Sequence, residues 1–139
     1  MKEETAKLLQ KAERALRAAR TLLREGDAEF AAGRAYYAML HTARALLRQR
    51  DRTYRGHSGV HSAFGRCFDK TAELDPKFHR WLLDAFDDRI RGDYDADALF
   101  EQEPVALRVD QAEEFIAEPR RFLESADHGD SPSDDAPRQ

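Results

Sequence analysis

The sequence predicts an all-α protein, an up-and-down helical bundle of four main helices plus one. Three observations point there. Apolar residues recur at steps of three and four, and nothing alternates with period two for long enough to make a strand. Glycine and proline punctuate the chain at few places, namely Gly26, Gly33, Gly56, Gly59, Gly65, Gly92, Pro76, Pro104 and Pro119 ahead of the final segment. The stretches between them are rich in Ala, Leu, Arg and Glu, all good helix formers.

Residues 2–25 place Leu8, Leu9, Ala12, Ala15, Leu16, Ala19, Leu22 and Leu23 on one face, which predicts an amphipathic helix stopped by Gly26. Asp27 reads as the N-cap of a second helix over about 28–50. Its small residues, among them Ala31, Ala32, Gly33, Ala35 and Ala38, allow close helix approach, so it is the expected centre of the fold. A third helix opens near His57 or Ser58 and carries Val60, Ala63, Phe64, Cys67 and Phe68 to about Ala72. Asp75 followed by Pro76 starts a fourth, because Asp caps and Pro is tolerated at the first helical position. It runs through Phe78, Trp81, Leu82, Ala85, Phe86 and Ile90 to Gly92. A turn or short helical piece over 93–103 leads to Pro104 and a fifth helix, which Pro119 should kink or end early. One domain is expected over 1–126, followed by a disordered acidic tail over 127–139, rich in Pro, Ser and Asp.

Composition narrows the function classes. Charged residues make up 36% of the 139, and no apolar run approaches 18 residues, so neither a membrane span nor a secretory signal is expected and the reading is cytoplasmic. A single cysteine, Cys67, excludes an internal disulfide and reads as a reduced, packed thiol. The net charge of −4 hides a split: residues 1–57 hold 13 Lys/Arg against 7 Asp/Glu, and residues 58–139 hold 10 against 20. Such a split means a polyanion-binding face, two halves that neutralise each other on folding, or a basic face screened by an acidic segment.

On the second helix, Arg34, Tyr37, His41, Arg44 and Arg48 recur at three and four, and Arg50, Arg52, Arg55, His57 and His61 follow. Together they read either as a groove for phosphates, aided by the amides around Ser58 at the start of the third helix, or as a solvated face of snorkelling arginines. His57 and His61 have a spacing that suits a metal, but no Glu follows His57 and no third ligand is evident. His57 reads instead as a capping or phosphate-contacting residue. Asp93, Asp95 and Asp97 alternate as in a calcium loop, yet Ala98 and Pro104 stand where that loop needs Gly and Glu. No metal or cofactor is called for. The segment from Asp87 to Asp95 gathers Arg89, Arg91, Asp93 and Tyr94 at a helix end, where an arginine can clamp phosphate and a tyrosine can donate a hydrogen bond.

Three strings in order, AARTLLREGDAEFAAGRAYYAMLHTARALL, GHSGVHSAFGRCF and RIRGDYD, make the chain from Ala18 to about Leu123 resemble a HEPN domain (higher eukaryotes and prokaryotes nucleotide-binding), in its small stand-alone prokaryotic branch. The resemblance implies an all-α bundle, usually a homodimer. It also implies a toxin-like part in a toxin–antitoxin or defence pair, with RNA or a nucleotide as ligand and a minimal nucleotidyltransferase as antitoxin partner. Many such proteins are metal-independent ribonucleases whose site is Arg, four to six residues, then His. Here Arg89 matches the Arg, but Tyr94 stands at the His position, and no His occurs between Arg89 and His128. A phenol with an ordinary pKa of about 10 is a poor base at neutral pH, so that chemistry needs His57 or His41 from another helix or a second subunit. The resemblance offers Tyr94 as an acceptor of AMP from the partner. The alternative is a non-catalytic helical dimer that docks a nucleotidyltransferase or nucleotide.

Overall fold

The computed structural model describes residues 1–129, which form five α-helices: α1 (Glu3–Arg24), α2 (Ala28–Gln49), α3 (His57–Phe64), α4 (Lys77–Tyr94) and α5 (Gln102–Gly129). Among the described residues there is no strand, and no helix is long and apolar enough to cross a membrane.

The α1–α2 hairpin follows from two adjacent residues. Gly26 takes a φ of 85°, and the Gly26 and Asp27 amides donate back to the Leu23 and Leu22 carbonyls at 3.0 and 2.9 Å, closing α1 with a left-handed cap. The Asp27 carboxylate then accepts from the Phe30 amide at 3.3 Å and starts α2. The second helix is the centre of the bundle, as expected, packing on α1, α3, α4 and α5. Its alanines at 31, 32, 35, 38, 43 and 45 are buried and let the neighbouring backbones close in. On the other side the core is aromatic, with Phe115 of α5 at 5.5 Å from Phe64 and 5.4 Å from Phe78. Cys67 is partly buried against this core.

The third helix departs from the expected run to Ala72. It gives way at Gly65 to a π-helical turn, Gly65–Asp69, in which the Lys70 amide reaches the Gly65 carbonyl at 2.9 Å, and Ala72 lies in the left-handed region with φ 60°. His79 explains the break: its Nε2–H donates to the His61 carbonyl at 3.1 Å, Nδ1 lies 3.3 Å from Asp69, and a Cβ on residue 65 would sit 2.8 Å from the imidazole ring. Gly65→Ala is therefore expected to cost about 1–3 kcal/mol, as overpacking does, read as a lower urea midpoint at unchanged slope. An unchanged midpoint would mean that the His79 ring does not hold this turn.

The other departures lie at helix ends. Beyond the expected stop at Gly92, α4 continues to Tyr94, with Phe100 and Glu29 lying against Gly92. Through Pro119, α5 continues to Gly129, its flanks fixed by buried Phe115, Ile116 and Leu123. Asp127, His128 and Gly129 thus belong to a helix, and the rest of the expected tail, residues 130–139, lies outside the described residues. The opposite charges of the two halves meet in part within the chain, through Arg20–Glu113 and Arg50–Glu73.

Candidate functional site

Tyr37, half-buried on α2, is the hub around which the predicted residues gather. One turn earlier on the same helix, Arg34 brings its guanidinium carbon to 5.0 Å from the Tyr37 ring centroid, and Arg89 of α4 brings its own to 4.9 Å. One turn later His41 stacks on the ring at 5.8 Å, and His57, the first residue of α3, meets its face edge-on at 6.1 Å. Spacing along α2 aligned Arg34, Tyr37 and His41; the fold adds His57 and Arg89 from two other helices.

Beside this cluster opens a surface cavity of about 390 Å³, walled by Arg34, Tyr37 and Arg89 together with Gly33, Asp88 and Asp93. Three carboxylates line it, and two of them, Asp88 and Asp93, are engaged, while Glu29 makes no ion pair among the described residues. Asp88 accepts from Arg108 at 2.9 Å, and Asp93 lies 3.3 Å from Arg89. With Asp93 half exposed the second pair is weak, so an incoming phosphate would compete well for the Arg89 guanidinium.

Behind the cavity lies a polar group buried in an otherwise apolar setting. The Tyr36 hydroxyl, with the residue fully buried, sits 3.0 Å from His57 Nδ1 and 2.8 Å from His61 Nε2. A phenol has one hydrogen, so it donates to one imidazole and accepts N–H from the other. Burial pushes the Tyr36 phenol well above its ordinary range and lowers His61 to about 4, with His57 and His79 adding to the second effect. His57 is held below its ordinary range, first by burial and then by the positive charges of Arg89 and Arg44. The trio is therefore neutral at pH 7. When Nδ1–H of His57 donates to Tyr36, the Nε2 lone pair is free to accept a proton. Tyr36→Phe would leave two ring nitrogens without their shared partner. The expected loss is about 1–3 kcal/mol, measured by urea unfolding at pH 7; a neutral substitution would mean the three groups are not coupled.

His41 and His57 touch the Tyr37 ring without lining the cavity, and other predicted residues stand farther from it. Tyr94 ends α4, is 81% exposed and does not line it. Ser58 is exposed, and Arg91 turns away to donate to the Leu99 carbonyl at 2.9 Å while covering Phe100. Farther along the predicted strip, Arg48 pairs with Glu4 and Asp51, and Arg50 with Glu73. Sequence reasoning passed over Tyr36, which its spacing marks as core, and Asp88. Their roles depend on contacts across helices that no periodicity carries.

Fold and site together define a small helical-bundle domain with an arginine-lined surface cavity backed by a neutral histidine pair. The chain belongs to the HEPN domain family, whose model matches residues 5–128. It is 32% identical over 122 residues to a protein of Methanocaldococcus jannaschii named "Putative toxin", covering 88% of this chain and 83% of that protein. A second protein of that organism bearing the same description is 30% identical over 123 residues, covering 88% and 91%. A UPF0332 protein of Gloeobacter violaceus is 35% identical over 124 residues, covering 88% and 98%.

Proposed function

We propose that this chain is the toxin-like member of a pair with a minimal nucleotidyltransferase, and that as a homodimer it binds and cuts RNA at the Arg89–His57 site. One observation carries the reading: an arginine and a neutral histidine from different helices flank the same Tyr37 ring, which supplies the histidine that the Arg89-to-Tyr94 segment lacks. Arg89 and Arg34 hold a phosphodiester and neutralise the charge that grows on its oxygens. His57 Nε2 takes the proton of the neighbouring 2′-hydroxyl, whose oxygen attacks phosphorus. The bond to the 5′-oxygen breaks, and that oxygen takes its proton from water, leaving a 2′,3′-cyclic phosphate and a 5′-hydroxyl. The names of the two Methanocaldococcus relatives support the toxin-like reading. Tyr94, exposed at the helix end, is open to a partner nucleotidyltransferase as an acceptor of AMP.

Dimerisation is read from apolar side chains at the cavity rim. Phe30, 62% exposed, lines the cavity beside Gly92 and Asp93, and Leu99 nearby in the chain after α4 is 83% exposed. Phe30→Glu is expected to convert a dimer to a monomer in sedimentation; an unchanged mass would move the interface elsewhere. The function is tested by expressing the full chain in a bacterial host. Growth arrest with transcript cleavage, relieved by Arg89→Ala at equal protein level, is expected. Arrest that persists in the variant removes Arg89 from the mechanism. The non-catalytic docking reading draws on Tyr94 standing outside the cavity, and it prevails if the chain binds a nucleotidyltransferase stably yet leaves every transcript intact.

A further inference from the structure

A second groove, also about 390 Å³, lies between α1 and α2 on the other side of the Tyr37–Arg34 wall. From α1 come Lys11 and Arg14 with Ala15 and Ala18 as floor; from α2 come Arg34, Tyr37 and His41. Its charge differs from that of the Arg89 cavity. No carboxylate lines it, and among the described residues no ion pair engages Lys11, Arg14 or Arg34. Three cations are thus held around one concavity with nothing to neutralise them, an arrangement that selects an anion.

His41 supplies a second, independent observation. It is only 8% exposed, and its Nδ1 is buried with no hydrogen-bond partner among the described residues. A buried N–H without an acceptor is costlier than a buried lone pair, so the proton resides on Nε2, the other ring nitrogen of a residue that lines the groove. Burial, then Lys11, Arg44, Arg34 and Arg14, hold this imidazole near 4. It is therefore a neutral N–H donor at pH 7, set among cations, and supplies a directed hydrogen bond where the lysine and arginines supply charge.

We propose that this groove is a second phosphate subsite, taking a phosphodiester of the same RNA strand whose reacting phosphate sits at Arg89, with Lys11, Arg14 and Arg34 as its cations and His41 Nε2–H as its donor. The proposal rests on the RNA reading above and deepens it. Arg34 and Tyr37 belong to both concavities, so a strand bound at one is led along the α2 surface into the other. The groove then sets register, and makes an oligonucleotide a better ligand than a single phosphate.

The full chain, labelled with ¹⁵N in its histidine rings, is titrated in one arm with inorganic phosphate and in another with a decauridylate. Expected is movement of the His41 and His57 ring signals together on adding decauridylate, at lower phosphate concentration than inorganic phosphate requires. In Lys11→Gln/Arg14→Gln, whose two sites are exposed, the His41 response is lost while that of His57 persists, and the slope of log affinity against log salt falls by about 0.7 for each phosphate contact removed. Movement of His57 alone overturns the subsite and leaves the Arg89 site standing. A His41 response unchanged in the double variant, or one that inorganic phosphate produces at the lower concentration, also overturns it. If neither ring moves, the subsite fails together with the RNA reading.

Discussion

Acidification from pH 7 to pH 5 is expected to destabilise the fold by roughly 2 kcal/mol for each of His41 and His61, at 1.36 kcal/mol per pKa unit. Both rings are buried and titrate near 4 in the folded protein, against an ordinary 6.5. Between those values the unfolded chain takes up protons that the folded one refuses, so stability falls as pH drops through 6.5 and reaches its full loss near pH 4. The total stability of a domain this size is about 5–15 kcal/mol, so the two histidines together are a large fraction of it. The Asp51 and Glu73 carboxyls, lowered by hydrogen bonds from Lys2 and Arg50, act in the same direction at still lower pH. Urea midpoints at pH 7, 6 and 5 check the account, and His61→Gln should flatten part of the slope. A midpoint that does not change over this range would contradict the burial of both rings.

The second large effect concerns the Tyr37 cluster. Arg89→Ala is expected to lower RNA cleavage by about a hundredfold to a thousandfold, the usual loss when one preorganised charge that stabilises the reacting centre is removed. Arg89→Lys should recover little, since an ammonium cannot lie flat on the Tyr37 ring and grip two phosphate oxygens at once. Far-ultraviolet circular dichroism should stay unchanged in both variants, because Arg89 makes its ion pair with the half-exposed Asp93 at the cavity edge and not in the core.

Much of this was legible in the residues themselves. Gly26 and Asp27 specify the α1–α2 turn chemically, one by backbone freedom and the other by a capping oxygen, and α2 declares itself the centre through its alanines. Boundaries that depend on distant contacts were not legible: the π-helical turn at Gly65 is set by His79 fourteen positions on, and Pro119 is tolerated because the core holds α5 on both sides of it. The site divides the same way. Helical spacing placed Arg34, Tyr37 and His41 in a row, and the four-residue step between His57 and His61 placed the two rings on one face. The fold then put a tyrosine hydroxyl between them, which that step alone does not announce. Tyr36 and Tyr37 are neighbours of identical type, yet one is buried with its hydroxyl between two imidazoles and the other is half-buried with two guanidinium groups against its ring. Which is which depends on the helices that cover them.

The central claim is that Arg89 and His57 act together on an RNA phosphate. Its most direct test is cleavage of a labelled single-stranded RNA by the purified full chain at pH 7 in excess EDTA. The account predicts metal-free cleavage ending in a 2′,3′-cyclic phosphate, lowered at least about a hundredfold by either His57→Ala or Arg89→Ala and retained by Tyr94→Phe. No cleavage by the unmodified chain, or equal rates in all four proteins, would contradict it.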